Sequence, residues 1–204
     1  STYVKAAIFE IWKTLAIAFV LVTLIIFLFL GNIKSVIVPA VALPVSLIGT
    51  FLGLWIFDLS INIFVLLSFI LAIGIITDDS VIMTDAIYQR IEDGQSPLVA
   101  SFLGAKSITA PIISTTLVLV ASFAPLIFLS GISGTLFRET AIALSFAIVV
   151  SSFVALTLSP ALAANFLSKN MKKSKIVLKF EKYYKSFLEF YTETLDYWIK
   201  KPKV

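Results

Sequence analysis

The sequence contains no cysteine and no histidine, and only 14% of its 204 residues are charged. The first absence excludes a disulfide framework, and the second removes both the side chain that titrates near neutral pH and the commonest metal ligand. Any proton chemistry must therefore use carboxylates, and no metal or organic cofactor is expected. The scarcity of charge excludes a large soluble domain, which would need a polar surface. What fills the chain instead is apolar: 59% of residues are hydrophobic and mean hydropathy is +1.04. Apolar runs of about 20 residues, each able to cross a hydrocarbon core of ~30 Å as a helix, recur along most of its length.

Five such runs predict an all-α, polytopic bundle of five transmembrane helices over residues 1–168, approximately 12–30, 35–57, 61–90, 107–130 and 137–167. Gly31 and Asn32 close the first. Pro39 and Pro44 fall in the second, Pro111 and Pro125 in the fourth and Pro160 in the fifth, positions that intramembrane helices tolerate. Gly49 and Gly53 have the small-xxx-small spacing that lets another helix approach, in ordinary tight packing or in a dimer face, and Gly74 is a further packing candidate.

Lysine and arginine set the orientation. Lys34, Arg90, Lys106 and the tail fall on one side of the predicted bundle, and Lys5, Lys13 and Arg138 on the other. The imbalance predicts an N-terminus outside and a C-terminus in the cytoplasm. Residues 1–168 carry six basic against eight acidic side chains, whereas 169–204 carry ten against four, so the basic character belongs to the tail. Within it Val177, Phe180, Tyr184, Phe187, Tyr191, Leu195 and Trp198 recur at three- and four-residue steps. That period predicts a basic amphipathic helix, suited to a cytoplasmic headgroup layer or to the surface of a soluble protein, and no nucleic-acid partner is expected.

Against this background the stretch "AIGIITDDSVIMTDA", residues 72–86, is conspicuous, because it sets Asp78 beside Asp79 in an apolar run. A helix ending at Thr77 would leave both among headgroups. The apolar Val81, Ile82 and Met83 beyond them, with no glycine or proline before Gly94, favour a position inside the span. An ionised carboxylate there costs roughly 2.5 to 3.5 kcal/mol even on lenient insertion scales. Protonation, a cationic partner or a water-filled path must offset that cost, and a group that alternates among them carries protons. Neighbouring positions diverge by ~100° on a helix, so the two carboxyls face different surroundings. Thr77, Ser80 and Thr84 add hydroxyls, which are also ordinary helix-packing residues, and Asp85 returns to the face of Asp78 seven residues on.

The run "LAIGIITDD" continuing through "SVIMTDAIYQRI" resembles the fourth transmembrane helix of the resistance-nodulation-division (RND) exporters. "FLFLGNIKSVIVPAVALPVSLIGTF" resembles their second and third helices, "FAPLIFLSGISGTLFRE" their fifth-to-sixth turn and "VALTLSPALAANFL" the end of their sixth. The resemblance covers the whole chain, from the family's second helix through its sixth and onto the cytoplasmic surface helix. It implies a multidrug or hydrophobe exporter of the bacterial inner membrane, driven by a proton gradient, with Asp78 and Asp79 as the proton-relay pair. It also implies partners outside this chain: a second half carrying an intramembrane basic residue, the lipid bilayer, and a homotrimer joined to a periplasmic adaptor and an outer-membrane channel. The family's large substrate-binding insertions have no counterpart here, and the start at Ser1 close to a span is that expected of a segment of a longer protein. Two other readings are an inert membrane scaffold and an intramembrane aspartyl protease. The latter is disfavoured because an acid–base dyad needs both carboxyls converging on one water.

Overall fold

The computed structural model describes residues 2–56, 58–59 and 62–168, and seven isolated positions between Tyr184 and Leu195. The amphipathic helix expected over 169–204 otherwise lies outside the described residues. The chain folds into five helices, α1 (Thr2–Leu30), α2 (Ile33–Ile56), α3 (Ile63–Glu92), α4 (Pro97–Ile127) and α5 (Gly131–Phe166), with no strand among the described residues. The all-α bundle expected from composition is the fold.

Local chemistry sets the helix ends. Asn62 caps α3, its side-chain oxygen accepting from the Val65 amide at 2.9 Å. At the other end Gly94 adopts φ 98°, a conformation costly to other L-residues, and its amide reaches the Ile91 carbonyl at 3.1 Å. Ser96 precedes Pro97 at the first position of α4, where a missing N–H is harmless. That start lies ten residues before the apolar span expected from 107, so Lys106 sits on a helix that has already begun. The internal prolines interrupt none of the three helices that contain them.

α3 is central. It packs against α1, α2, α4 and α5, while α5 also touches α2 and α4. Two larger apolar clusters hold the bundle at different levels, and a third, smaller one joins Ile26 of α1 to Val36 of α2. Of the larger two, one gathers Leu54, Phe69, Ile73 and Ile76 with Leu144 and Ala147, and Phe51 stacks on Phe69 with centroids 4.4 Å apart. The other gathers Val38, Met83, Ile87 and Ile91 with Ile112 and Ala163. Between these two apolar levels buried hydroxyls join α3 to α5, Ser151 donating to the Ile76 carbonyl and Ser159 to the Ser80 hydroxyl.

The glycines divide unequally. A Cβ on Gly49 would lie 2.7 Å from Val150, and one on Gly53 would overlap the Phe146 ring, so α5 seats in the groove that these two positions open along α2. Gly74 departs from expectation: it is exposed, and a Cβ there would meet nothing within 4 Å. The tight contact on α3 comes instead from Gly104 of α4, where a Cβ would lie 2.7 Å from Ile87.

The outer surface is apolar in the manner of a lipid-facing protein. Val20, Ile48, Leu52, Leu117 and Phe153 are all more than half exposed, which a water-soluble monomer avoids. α2, α3, α4 and the Gly134–Phe166 part of α5 are long and apolar enough to cross a membrane, whereas the apolar stretch of α1, Ala16–Leu28, is shorter within a helix of 29 residues.

Candidate functional site

Asp78 and Asp79 are the sixteenth and seventeenth of the 30 residues of α3, about 22 Å along a helix of ~45 Å. The pair is therefore mid-helix, level with the hydroxyls that join α3 to α5. The alternative in which α3 stops at Thr77 is excluded, since the helix continues four turns to Glu92.

The 100° divergence gives the two carboxyls separate surroundings. Asp79 is partly buried and turned toward α5, where the Ser152 hydroxyl donates to its Oδ2 at 2.9 Å. Ser152 in turn shares a hydrogen bond with Thr116 of α4, and the Thr116 hydroxyl donates to the Ile112 carbonyl at 2.7 Å. Asp78 is exposed, and no side chain among the described residues hydrogen-bonds it. It lines a groove of about 420 Å³ between α3 and α4, together with Asp79, Ser114, Thr115 and apolar residues including Ile75 and Val118. That volume can admit water or a side chain from another element.

The accessory residues expected from the sequence do not gather around the pair. The Thr77 hydroxyl donates to the Ile73 carbonyl at 2.8 Å, and the Thr84 hydroxyl to the Ser80 carbonyl at 2.6 Å. Both are local back-bonds that satisfy a buried hydroxyl on its own helix. Ser80 accepts from Ser159 of α5 at 3.3 Å, and the adjacent Ser151 donates to the Ile76 carbonyl at 2.9 Å, so these hydroxyls join α3 to α5. Asp85 accepts from Gln89 at 2.7 Å, one turn on, and lies ~10 Å along the axis from Asp78. No group of carboxylates among the described residues could hold a metal ion.

Ser152 and Thr116 were absent from the sequence-level candidates although they make the contacts that matter. A signal for Ser152 exists: Ser145, Ser152 and Ser159 recur every seven residues through an apolar span, marking one face of α5. Thr116 has no comparable signal, because Thr115 beside it is equally plausible and only the rotation of α4 separates them.

The profile of the AcrB/AcrD/AcrF family matches residues 1–204, the whole chain. A protein named as an uncharacterized transporter from Haemophilus influenzae is 38% identical over 169 residues, 83% of this chain and 16% of its own length. Proteins named multidrug resistance protein MdtC from Pectobacterium carotovorum and Pectobacterium atrosepticum are each 39% identical over 175 residues, 86% of this chain and 17% of theirs. The chain thus spans about one sixth of the length of the curated relatives it matches.

Proposed function

This chain belongs to the AcrB/AcrD/AcrF family, and we propose that it forms part of the membrane domain of a proton-driven multidrug exporter in the bacterial inner membrane. In this reading it is a secondary transporter and not an enzyme. Its five helices cross the bilayer with the N-terminus outside and the C-terminus in the cytoplasm, as the loop charges require. The chain acts within a longer polypeptide whose other half brings a basic side chain to the groove beside Asp78. By analogy with the family, that polypeptide assembles as a trimer with a periplasmic adaptor and an outer-membrane channel. Multidrug export enters from the name of the Pectobacterium relatives.

The observation that carries the reading is the asymmetry of the aspartates at mid-helix. Both line the groove, but Asp79 is tethered to α5 by Ser152 whereas no side chain among the described residues hydrogen-bonds Asp78. A carboxyl in that groove can exchange a proton with water and, once ionised, pair with a cation from outside the chain. Protonation neutralises the group and removes the attraction, so the partner helix is released; loss of the proton restores the attraction. Asp78 and Asp79 are thereby the moving charges, and the hydroxyls between α3 and α5 fix the helix that bears them. The ~100° divergence of neighbouring positions on a helix also argues against the protease reading, in which both carboxyls must be aimed at one water.

The test is efflux from cells expressing the full-length protein. Asp78→Asn and Asp79→Asn keep size but cannot take up and release a proton, and each is expected to reduce efflux to the vector background at unchanged membrane abundance. Full activity in both variants would remove the relay reading.

A further inference from the structure

We propose that Ser152 and Thr116 form a reversible hydroxyl chain that reports the protonation of Asp79 from α3 through α5 to α4. This rests on the relay reading above and assigns roles to two residues outside the aspartate pair. The geometry contains three successive contacts: Ser152 with Asp79, Ser152 with Thr116, and Thr116 with the Ile112 carbonyl. Two hydroxyls supply two protons for these three contacts. With Asp79 ionised, Ser152 donates to the carboxylate because that acceptor carries the charge. Thr116 then has one proton for two acceptors, the Ser152 oxygen and the Ile112 carbonyl, and the carbonyl keeps the Thr115 hydroxyl as a second donor at 2.9 Å when Thr116 turns to Ser152.

Protonation of Asp79 adds the missing donor. The carboxyl O–H donates to Ser152, Ser152 turns to donate to Thr116, and Thr116 donates to the Ile112 carbonyl. All three contacts are then filled and the direction of the chain is reversed. No covalent bond forms or breaks beyond the protonation itself. In the ionised state the single Thr116 proton is divided between α5 and its own helix, whereas in the protonated state the α4–α5 contact and the contact within α4 are filled together. Thr116 is a positioning residue in this scheme, since it acts on Asp79 only through Ser152. The chain also distinguishes the two aspartates, because Asp78 has no such hydroxyl among the described residues.

The discriminating variant is Thr116→Val, which preserves shape, removes the hydroxyl and leaves every direct contact of Asp79 in place. In purified full-length protein at low pH, the infrared carbonyl band of protonated Asp79 is identified as the one lost in Asp79→Asn. Thr116→Val should move that band, because Ser152 loses the acceptor that lets it turn away from Asp79. The efflux rate should fall by up to about tenfold, the scale of the net contribution of one neutral hydrogen bond, and Thr116→Ser should restore both band and rate. A band unmoved by Thr116→Val, an unchanged efflux rate, or failure of Thr116→Ser to restore them would overturn the proposal. If Thr116→Val does not accumulate in the membrane, Thr116→Ala, which also leaves the Ser152–Asp79 contact in place, is read by the same criteria. Full efflux in Asp79→Asn would be a different failure, that of the relay reading itself.

Discussion

At the scale of single residues, the two aspartates share a sequence context but not an environment. Both reach one groove, and one position on a helix is the difference between a half-buried carboxyl tied to Ser152 and an exposed one with no side-chain partner among the described residues. The pair was legible in the sequence because charge in an apolar run is costly and rare. Its hydroxyl partners were not, because serine and threonine are also routine packing residues between membrane helices and only the helix rotation shows which of them reach a carboxylate. The glycines make the same point. Gly53→Ala should destabilise the bundle by about 1 to 3 kcal/mol, since the Phe146 ring must leave its seat. Gly74→Ala, in open space on a helix, should be neutral or stabilising by up to about 1 kcal/mol. Thermal melting of the detergent-solubilised full-length protein checks both, and equal effects would contradict the packing described.

At the scale of elements, hydropathy located all five helices, and the largest departures in their bounds, at the starts of α1, α4 and α5, arise where a helix begins before the expected apolar span. α4 begins at Pro97 because Ser96 and the proline start it, although the apolar run begins later. A hydropathy window sees the membrane-facing length, whereas caps and turns decide the helix. Asn62 shows how an end can bear on the middle: its oxygen caps α3 while its amide donates to Glu139 of α5. Asn62→Ala should cost about 1 kcal/mol through the lost cap, read as a lowered melting temperature. Orientation is tested on α4, whose 31 residues span ~46 Å. Cysteines placed one at a time at Ser96 and Ser130, both exposed at its ends, should label from opposite faces of the membrane, Ser130 from outside. Labelling of both from one face would contradict the topology.

At the scale of the whole molecule, the bundle is held by two apolar levels with α3–α5 hydroxyl contacts and a carboxylate pair between them. The apolar surface and the groove beside Asp78 lie on the outside of these five helices, where the proposed cation from the rest of the polypeptide could reach the carboxyl. Transporters built from repeats move one repeat against another. The chain reconstituted by itself is therefore expected to insert without supporting proton-driven dye efflux, and gradient-dependent efflux abolished by Asp78→Asn would show that one such unit suffices. The central claim, that Asp78 and Asp79 couple proton entry to export, is tested most directly by measuring proton flux and substrate flux together in liposomes containing the full-length protein under an imposed pH gradient. The account predicts that substrate movement accelerates proton entry in the wild-type protein and that this coupled component vanishes in both Asp78→Asn and Asp79→Asn. Substrate-dependent proton entry persisting undiminished in either variant would contradict it.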